Sequence, residues 1–169
     1  MTGIKDPIVS VVMGSDSDFD IMQEAAKILK EFDVPCELFL TSAHRTPERT
    51  ISFAREARER GVKVIIVGAG MAAHLAGVIA AISPLPVIGV PIDASSLKGI
   101  DALLSTVQMP GGVPVATMAI GKAGAKNAGL LAIRILALES PVLATRIDEY
   151  SRMMASSVVE KHKNFDEKL

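Results

Sequence analysis

VKVIIVGAGMAAHLAGVIAAISPLPVIGV, residues 62–90, is the stretch that decides the fold. Val62–Val67 is a short β-branched apolar run of the kind that forms a buried strand. Gly68-Ala69-Gly70 turns the chain, and residues from about Ala72 to Ala81 continue as a helix. Val87–Val90 is strand again. Two strands joined through a helix run parallel, because the crossover returns the chain to the same end of the sheet. The same stretch is apolar enough to invite a membrane reading. Its glycines, His74 and prolines leave no clean run of about 20 apolar residues, the length that a spanning helix needs.

The pattern extends outward in both directions. Ile8–Met13 reads as a strand ending at Gly14, followed by a helix with Phe19, Met22, Ala25, Ala26, Leu29 and Phe32 at helical spacing. Ser17 or Asp18 would cap that helix, accepting from the free amides of its first turn. Pro35–Leu40 is the second strand. Thr46-Pro47-Glu48 starts a helix that runs to about Arg60 and stops at Gly61, with Thr46 as cap and proline at the first position. Beyond Val90 a helix is expected from Ser95 or Ser96, then a fifth strand over Val113–Ala119 and a helix over about Lys122–Leu138. Pro141 opens a last helix, to about residue 163, with Leu143, Ile147, Tyr150 and Met154 at helical spacing.

Five strands alternating with helices specify an α/β fold, a parallel sheet covered on both faces in three layers. The simplest topology is the flavodoxin-like order 2-1-3-4-5 with a C-terminal helix. No linker or repeat divides the chain, so residues 1–169 are expected to be a single domain with a core over about 8–138. In that order the carboxyl ends of strands 2, 1 and 3 lie side by side at the switch point where such sheets bind ligands.

Bulk properties narrow the function. The formal net charge is −1, with no basic run to mark a nucleic-acid surface. The single cysteine, Cys36, allows no internal disulfide and suits a reducing, cytoplasmic setting. It is expected as a small core residue of the second strand. MTGIKDP carries no apolar leader core. Hydrophobic residues make up 49% of the chain, yet aromatic ones only 4%. A short chain with that much aliphatic surface points to a homo-oligomer, as does Ala72–Ile82, apolar nearly all round.

Three loops carry the chemistry. In Gly14-Ser15-Asp16-Ser17-Asp18 a glycine turns the chain into a helix start, where free amides and two hydroxyls suit phosphate oxygens; Asp18 can accept from ribose hydroxyls. An ordinary capped helix start would show the same residues. Ser42-Ala43-His44-Arg45-Thr46-Pro47 sets a donor fork, Arg45, beside His44, whose ring exchanges protons near neutrality. The plainer reading is a turn histidine next to a solvated charge. Gly68-Ala69-Gly70-Met71-Ala72-Ala73-His74-Leu75 lets the backbone approach a ligand closely, with His74 read as a structural helix residue or as a contact to substrate. With Asp93 on the next strand, this loop also imitates a dinucleotide fingerprint, but on the third strand rather than the first. The Gln108–Gly112 turn is expected at the pocket edge, and His162 in a polar, exposed tail. No Cys/His cluster has metal-ligand spacing, so no metal is expected.

Taken together, GSDSD, SAHRTP, GAG-x-AAHL, VIGVP, VQMPGGVPVAT and IGKAGAKNAG, in this order from about Val11 to Leu138, closely resemble the class I 5-(carboxyamino)imidazole ribonucleotide mutases of purine biosynthesis. The resemblance implies a flavodoxin-like fold, no cofactor, and a homo-octamer with sites shared between subunits. It implies isomerisation of 5-(carboxyamino)imidazole ribonucleotide to 4-carboxy-5-aminoimidazole ribonucleotide. By position, Ser15, Ser17, Ser42 and Arg45 would hold the phosphate and Asp18 the ribose. His44 would be the acid/base, with Gly70, His74 and Leu75 near the imidazole and its carboxylate. Met71 stands where the resemblance has glycine, and Ala76 where it has proline. The rivals are the sister carboxylases, which typically carry lysine at the position of Arg45, a non-catalytic nucleotide-binding module, and a dinucleotide oxidoreductase.

Overall fold

The computed structural model describes residues 6–166; the opening MTGIK, read above for a leader, lies outside them. Its elements run β1 (Val9–Met13), α1 (Phe19–Glu31), β2 (Cys36–Leu40), α2 (Pro47–Glu56), β3 (Val64–Gly70), α3 (Leu75–Ile82), β4 (Val87–Ile92), α4 (Ile100–Val107), β5 (Ala116–Thr117), α5 (Gly121–Ala137) and α6 (Pro141–Asp166). The five strands form one parallel sheet of order β2-β1-β3-β4-β5. The chain divides into two compact units, Met1–Ala132 and Ile133–Leu169. The first holds the sheet, and the second the end of α5 and all of α6. Among the described residues no helix is long and apolar enough to cross a membrane.

Within the first unit the central strands are fully buried, so they read as continuous apolar runs rather than alternating ones. One core joins Val12, Ile65 and Val67 of the sheet to Phe53 of α2, Ile79 of α3 and Ala102 of α4. On the opposite face Gly68 lies under Met22 of α1, and Gly129 lets α5 lie directly against Ile28. Small residues set both spacings. A bidentate Arg60–Glu37 pair, 2.7 and 2.9 Å, together with a Ser10–Glu37 bond of 2.6 Å, ties the edge strand β2 to β1 and to the turn after α2. Cys36 is half-buried, and burial pushes its thiol up, which suits a packed residue more than a nucleophile.

Several boundaries differ from the sequence reading, each for a local reason. The helix expected from Ser95 or Ser96 begins only at Ile100, because Lys98 (φ 50°) and Gly99 (φ 84°) are left-handed and end a separate turn there. The strand expected over Val113–Ala119 shrinks to Ala116–Thr117, preceded by Pro114, which has no amide to give a ladder. β3 runs on to Gly70, and α3 starts at Leu75 instead of Ala72, because Met71 (φ 57°) and Ala73 (φ 48°) cannot be helical. Residues 57–60 are turn rather than helix. Neither Asp18 nor Thr46 caps its helix with its side chain. Ser15 is the cap at the end of β1, where a single 3₁₀ turn, Asp16–Asp18, precedes α1.

Candidate active site

The loops after β1, β2 and β3 enclose one cavity of about 630 Å³. Its lining includes Ser15, Ser17, Asp18, Ser42, His44, Arg45, Gly70, His74 and Leu75, all nine residues singled out in the sequence. Residues of three separate loops meet there because β1 pairs with β2 on one side and with β3 on the other, in register at their carboxyl ends.

The loop after β1 is held by a reciprocal cap. The Ser15 hydroxyl accepts from the Ser17 amide at 3.4 Å, and the Asp18 carboxylate accepts from the Ser15 amide at 3.0 Å. The Ser15 hydroxyl donates to Asp16 at 3.0 Å, and the Ser17 hydroxyl donates back to Ser15 at 2.9 Å. The donors that suit phosphate are thus gathered on one turn, with the Asp16 carboxylate occupying them in this structure. Asp18 is buried, and that burial, outweighing its bonds to the backbone of Ser15 and Gly14, raises its carboxyl above the ordinary value. A carboxylate in this position gains from any hydroxyl that donates to it.

With its native value raised, Asp18 contributes fully below about 3.8, its ordinary value, and the contribution is lost as pH rises through the native value. Thermal melts across that window should therefore show the wild type losing stability relative to Asp18→Asn as pH increases. The variant keeps an acceptor for the Ser15 amide. It should also hold a ligand hydroxyl more weakly, by roughly tenfold or more, the worth of a hydrogen bond to a charged group.

The loop after β2 is rigid through its threonines. Thr41 shares hydroxyl contacts with Thr50 at 2.9 Å and Thr46 at 3.2 Å, and the Thr46 hydroxyl accepts from the Ser42 amide at 2.9 Å. Ser42 accepts from the Arg45 amide at 3.2 Å, leaving its own proton for a ligand. The Arg45 guanidinium donates to the Gly14 carbonyl at 2.9 Å, spanning the gap between the loops. His44 is exposed, and its Nε2 lies 2.7 Å from Nδ1 of His74, with the rings nearly perpendicular at 81°. That contact links the second loop to the third.

The loop after β3 carries two left-handed non-glycine residues, Met71 and Ala73, each costing about 1–2 kcal/mol. At position 71 a glycine would take that conformation freely. Met71 lines the cavity and stands 61% exposed. The Ser105 hydroxyl of α4 donates to the Ala72 carbonyl and holds the loop from outside. Ala76 falls in the first turn of α3, where an amide has no intrahelical partner, so the N–H that proline lacks would leave no helical bond unmade there.

Sequence reasoning missed Ala94, which lines the cavity from the end of β4. A β-carbon on Gly70 would come within 2.6 Å of Ala94, so that glycine reports a close approach whose other half the sequence did not name. The Gln108–Gly112 turn, expected at the pocket edge, does not line it within this chain; Met109 packs on Gly77 of α3. His162 is exposed on α6. Asp93, the acidic residue of the rival dinucleotide reading, lies outside the lining. Among the described residues no group of three or more His, Cys, Asp or Glu is placed to hold a metal ion.

Comparison with known proteins adds four findings. The model of the AIR carboxylase family matches residues 8–157. Over 161 residues the chain is 55% identical to an N5-carboxyaminoimidazole ribonucleotide mutase of Pyrococcus horikoshii, covering 95% of this chain and 90% of that protein. It is 57% identical over 155 residues to one of Mycobacterium tuberculosis, covering 92% and 88%. Among solved structures, Treponema denticola PurE superposes with a TM-score of 0.85 at 30% identity, covering 94% of this chain and 98% of that one.

Proposed function

The chain belongs to the AIR carboxylase family, and from that premise we infer that it is an N5-carboxyaminoimidazole ribonucleotide mutase of purine biosynthesis, with His44 as its acid and base. The observation that carries this reading is the single cavity in which a hydroxyl-rich turn, Arg45, Asp18 and a paired histidine converge.

Ser15, Ser17, Ser42 and Arg45 hold the phosphate, displacing the Asp16 carboxylate from its donors. Asp18 takes the ribose hydroxyls. Gly70 and Leu75 bound the space beside His44 and His74 for the imidazole and its carboxylate. Protonated His44 gives its proton to the substituted nitrogen as the carbamate C–N bond breaks, leaving aminoimidazole ribonucleotide and carbon dioxide. Ring carbon 4 then attacks the retained carbon dioxide, forming the new C–C bond. Neutral His44 removes the proton from that carbon and restores the aromatic ring. The proton count closes, and no cofactor enters. Retention is the protein's main task, because freed carbon dioxide would diffuse away, and a close-walled pocket of Gly and Ala keeps it against carbon 4. Arg45 favours this reading over direct carboxylation, whose enzymes typically have lysine there.

The test is to mix the purified protein with 5-(carboxyamino)imidazole ribonucleotide and follow the ring-carboxylated product by absorbance. Rapid conversion without added bicarbonate is expected. Conversion only of aminoimidazole ribonucleotide plus bicarbonate would assign the carboxylase instead.

The whole chain acts as one mutase domain, in the cytoplasm and as a homo-oligomer, an octamer by the resemblance. Supporting this, α4 exposes Ile100, Leu104 and Val107 on one face, and α6 exposes Val142, Met153, Met154, Val158 and Val159. Apolar faces of this kind are covered in solution by a partner. Light scattering at micromolar concentration should give a multiple of 17.8 kDa; a species at the chain mass would refute the oligomer.

A further inference from the structure

We propose that Met71 is a flexible cover for the cavity, an apolar side chain that folds over the bound base and shuts the freed carbon dioxide in beside ring carbon 4. This rests on the mutase reading and concerns how its intermediate is kept.

The backbone comes first. Ala73 donates its amide to the Gly70 carbonyl at 3.0 Å, which closes a turn over residues 70–73, and the Ser105 hydroxyl of α4 donates to the Ala72 carbonyl from outside. Within that turn residue 71 has φ 57°, a conformation that glycine adopts freely and that other residues adopt under strain. Packing within the chain does not explain a methionine there, because its side chain stands 61% exposed. Strain of this kind concentrates at ligand clamps and active sites, and Met71 lies on the wall of the cavity.

The rest of the lining shows what such a side chain adds. The loops after β1 and β2 supply hydroxyls, a carboxylate, His44 and Arg45. The loop after β3 supplies Gly70, Ala72 and Ala73, all too short to reach across a ligand. Leu75 is the other long apolar residue, but it is 3% exposed and belongs to the core. Only Met71 is long, apolar and free to turn. It follows Gly70 directly, at the end of the cavity assigned to the imidazole rather than to the phosphate. An unbranched, polarisable side chain adapts to a planar heterocycle and makes a favourable sulfur–ring contact. Folding it down buries apolar surface, which favours the closed form by roughly tenfold. Carbon dioxide has no charge and no net dipole, so polar groups hold it weakly, and a wall that also excludes water is what retains it.

Two variants and two readouts test this. Met71→Gly removes the cover and relaxes the turn, while Met71→Leu keeps an apolar side chain of similar volume. Each protein receives 5-(carboxyamino)imidazole ribonucleotide in carbon-13 bicarbonate, and mass spectrometry reads the products. Escape of the freed gas appears as label in the ring-carboxylated product and as aminoimidazole ribonucleotide left behind. Met71→Gly should raise escape roughly tenfold over wild type, while it consumes substrate at close to the wild-type rate and melts no lower than wild type. Met71→Leu should stay within about threefold of wild type. The second readout is NMR of protein labelled at its methionine methyls, in which Met71 is the signal that Met71→Leu lacks. Binding of 4-carboxy-5-aminoimidazole ribonucleotide should move that signal upfield, through the ring current of the base beneath it. Wild-type escape in the glycine variant, a lowered melting midpoint there, a leucine variant that leaks as freely, or a Met71 methyl unmoved by the nucleotide would each overturn the proposal. A wild type that converts no substrate although its Met71 methyl moves would sink the mutase reading and keep Met71 as the cover of a bound base.

Discussion

His44→Asn should lower the rate of 5-(carboxyamino)imidazole ribonucleotide conversion by about 10²–10⁴-fold, the usual worth of a positioned acid–base group, while nucleotide affinity stays within about threefold. The separation is expected because, in the proposed reading, the phosphate and ribose groups are held without help from the imidazole. Arg45 reaches the Gly14 carbonyl, the Thr41, Thr46 and Thr50 hydroxyls fix the loop, and the Ser15–Asp18 cap is self-contained. The asparagine amide ends short of where Nε2 stood, so the variant gives up the contact to His74 and the titrating group while leaving those loops in place. Single-turnover absorbance gives the rate, and calorimetry with 4-carboxy-5-aminoimidazole ribonucleotide gives the affinity. An unchanged rate would remove His44 from the chemistry; equal losses in rate and affinity would make it a binding residue only.

Gly124→Ala should be the most damaging single methyl in the sheet-bearing unit. A β-carbon at Gly124 would fall inside the contact radius of the Ala119 carbonyl oxygen and close to its carbonyl carbon. Both are backbone atoms, and Gly121, at φ 76°, already fixes the turn into α5 between them. No side chain can rotate away, so the start of α5 has to move. We expect a loss of roughly 3 kcal/mol and a midpoint lower by about 6–12 °C. Gly111→Ala is the control, since a β-carbon there meets nothing within 4 Å; it should shift stability by less than about 0.5 kcal/mol. Thermal melts of the two variants beside wild type decide the matter, and equal midpoints for all three would show that α5 relaxes freely.

The fold and most of the lining were legible in the sequence because both are written in local chemistry. β-branched runs ending in glycine mark the strands, and the order 2-1-3-4-5 then brings Ser15, Ser42 and Gly70 together by topology alone. What was not legible depends on distances that topology does not supply. Ala94 is an unremarked alanine until β3 and β4 pair Gly70 with Ile92 and bring it against the loop. The His44–His74 contact joins residues thirty positions apart, so neither reads from its neighbours as more than a turn or helix histidine. Met71 and Ala73 in the left-handed region are invisible to propensity, and the sequence reading places Ala73 inside a helix and Met71 just before it. There the surrounding loop, not the residue, sets the backbone.

The position of β1 between β2 and β3 also governs how the protein is made. β1 can pair with β2 early, as the next strand in the chain, but its other edge waits for β3, beyond β2 and α2. Pairings across that much chain form slowly, since the loop must close before any contact rewards it. All three pocket loops leave the ends of these three strands, so the cavity comes into being only when the β1–β3 pairing closes. A refolding chain with β1 and β2 joined but β3 still free holds the serines and Arg45 without the wall behind them. Recovery of the proposed nucleotide binding during refolding is therefore a clock for that one long-range pairing.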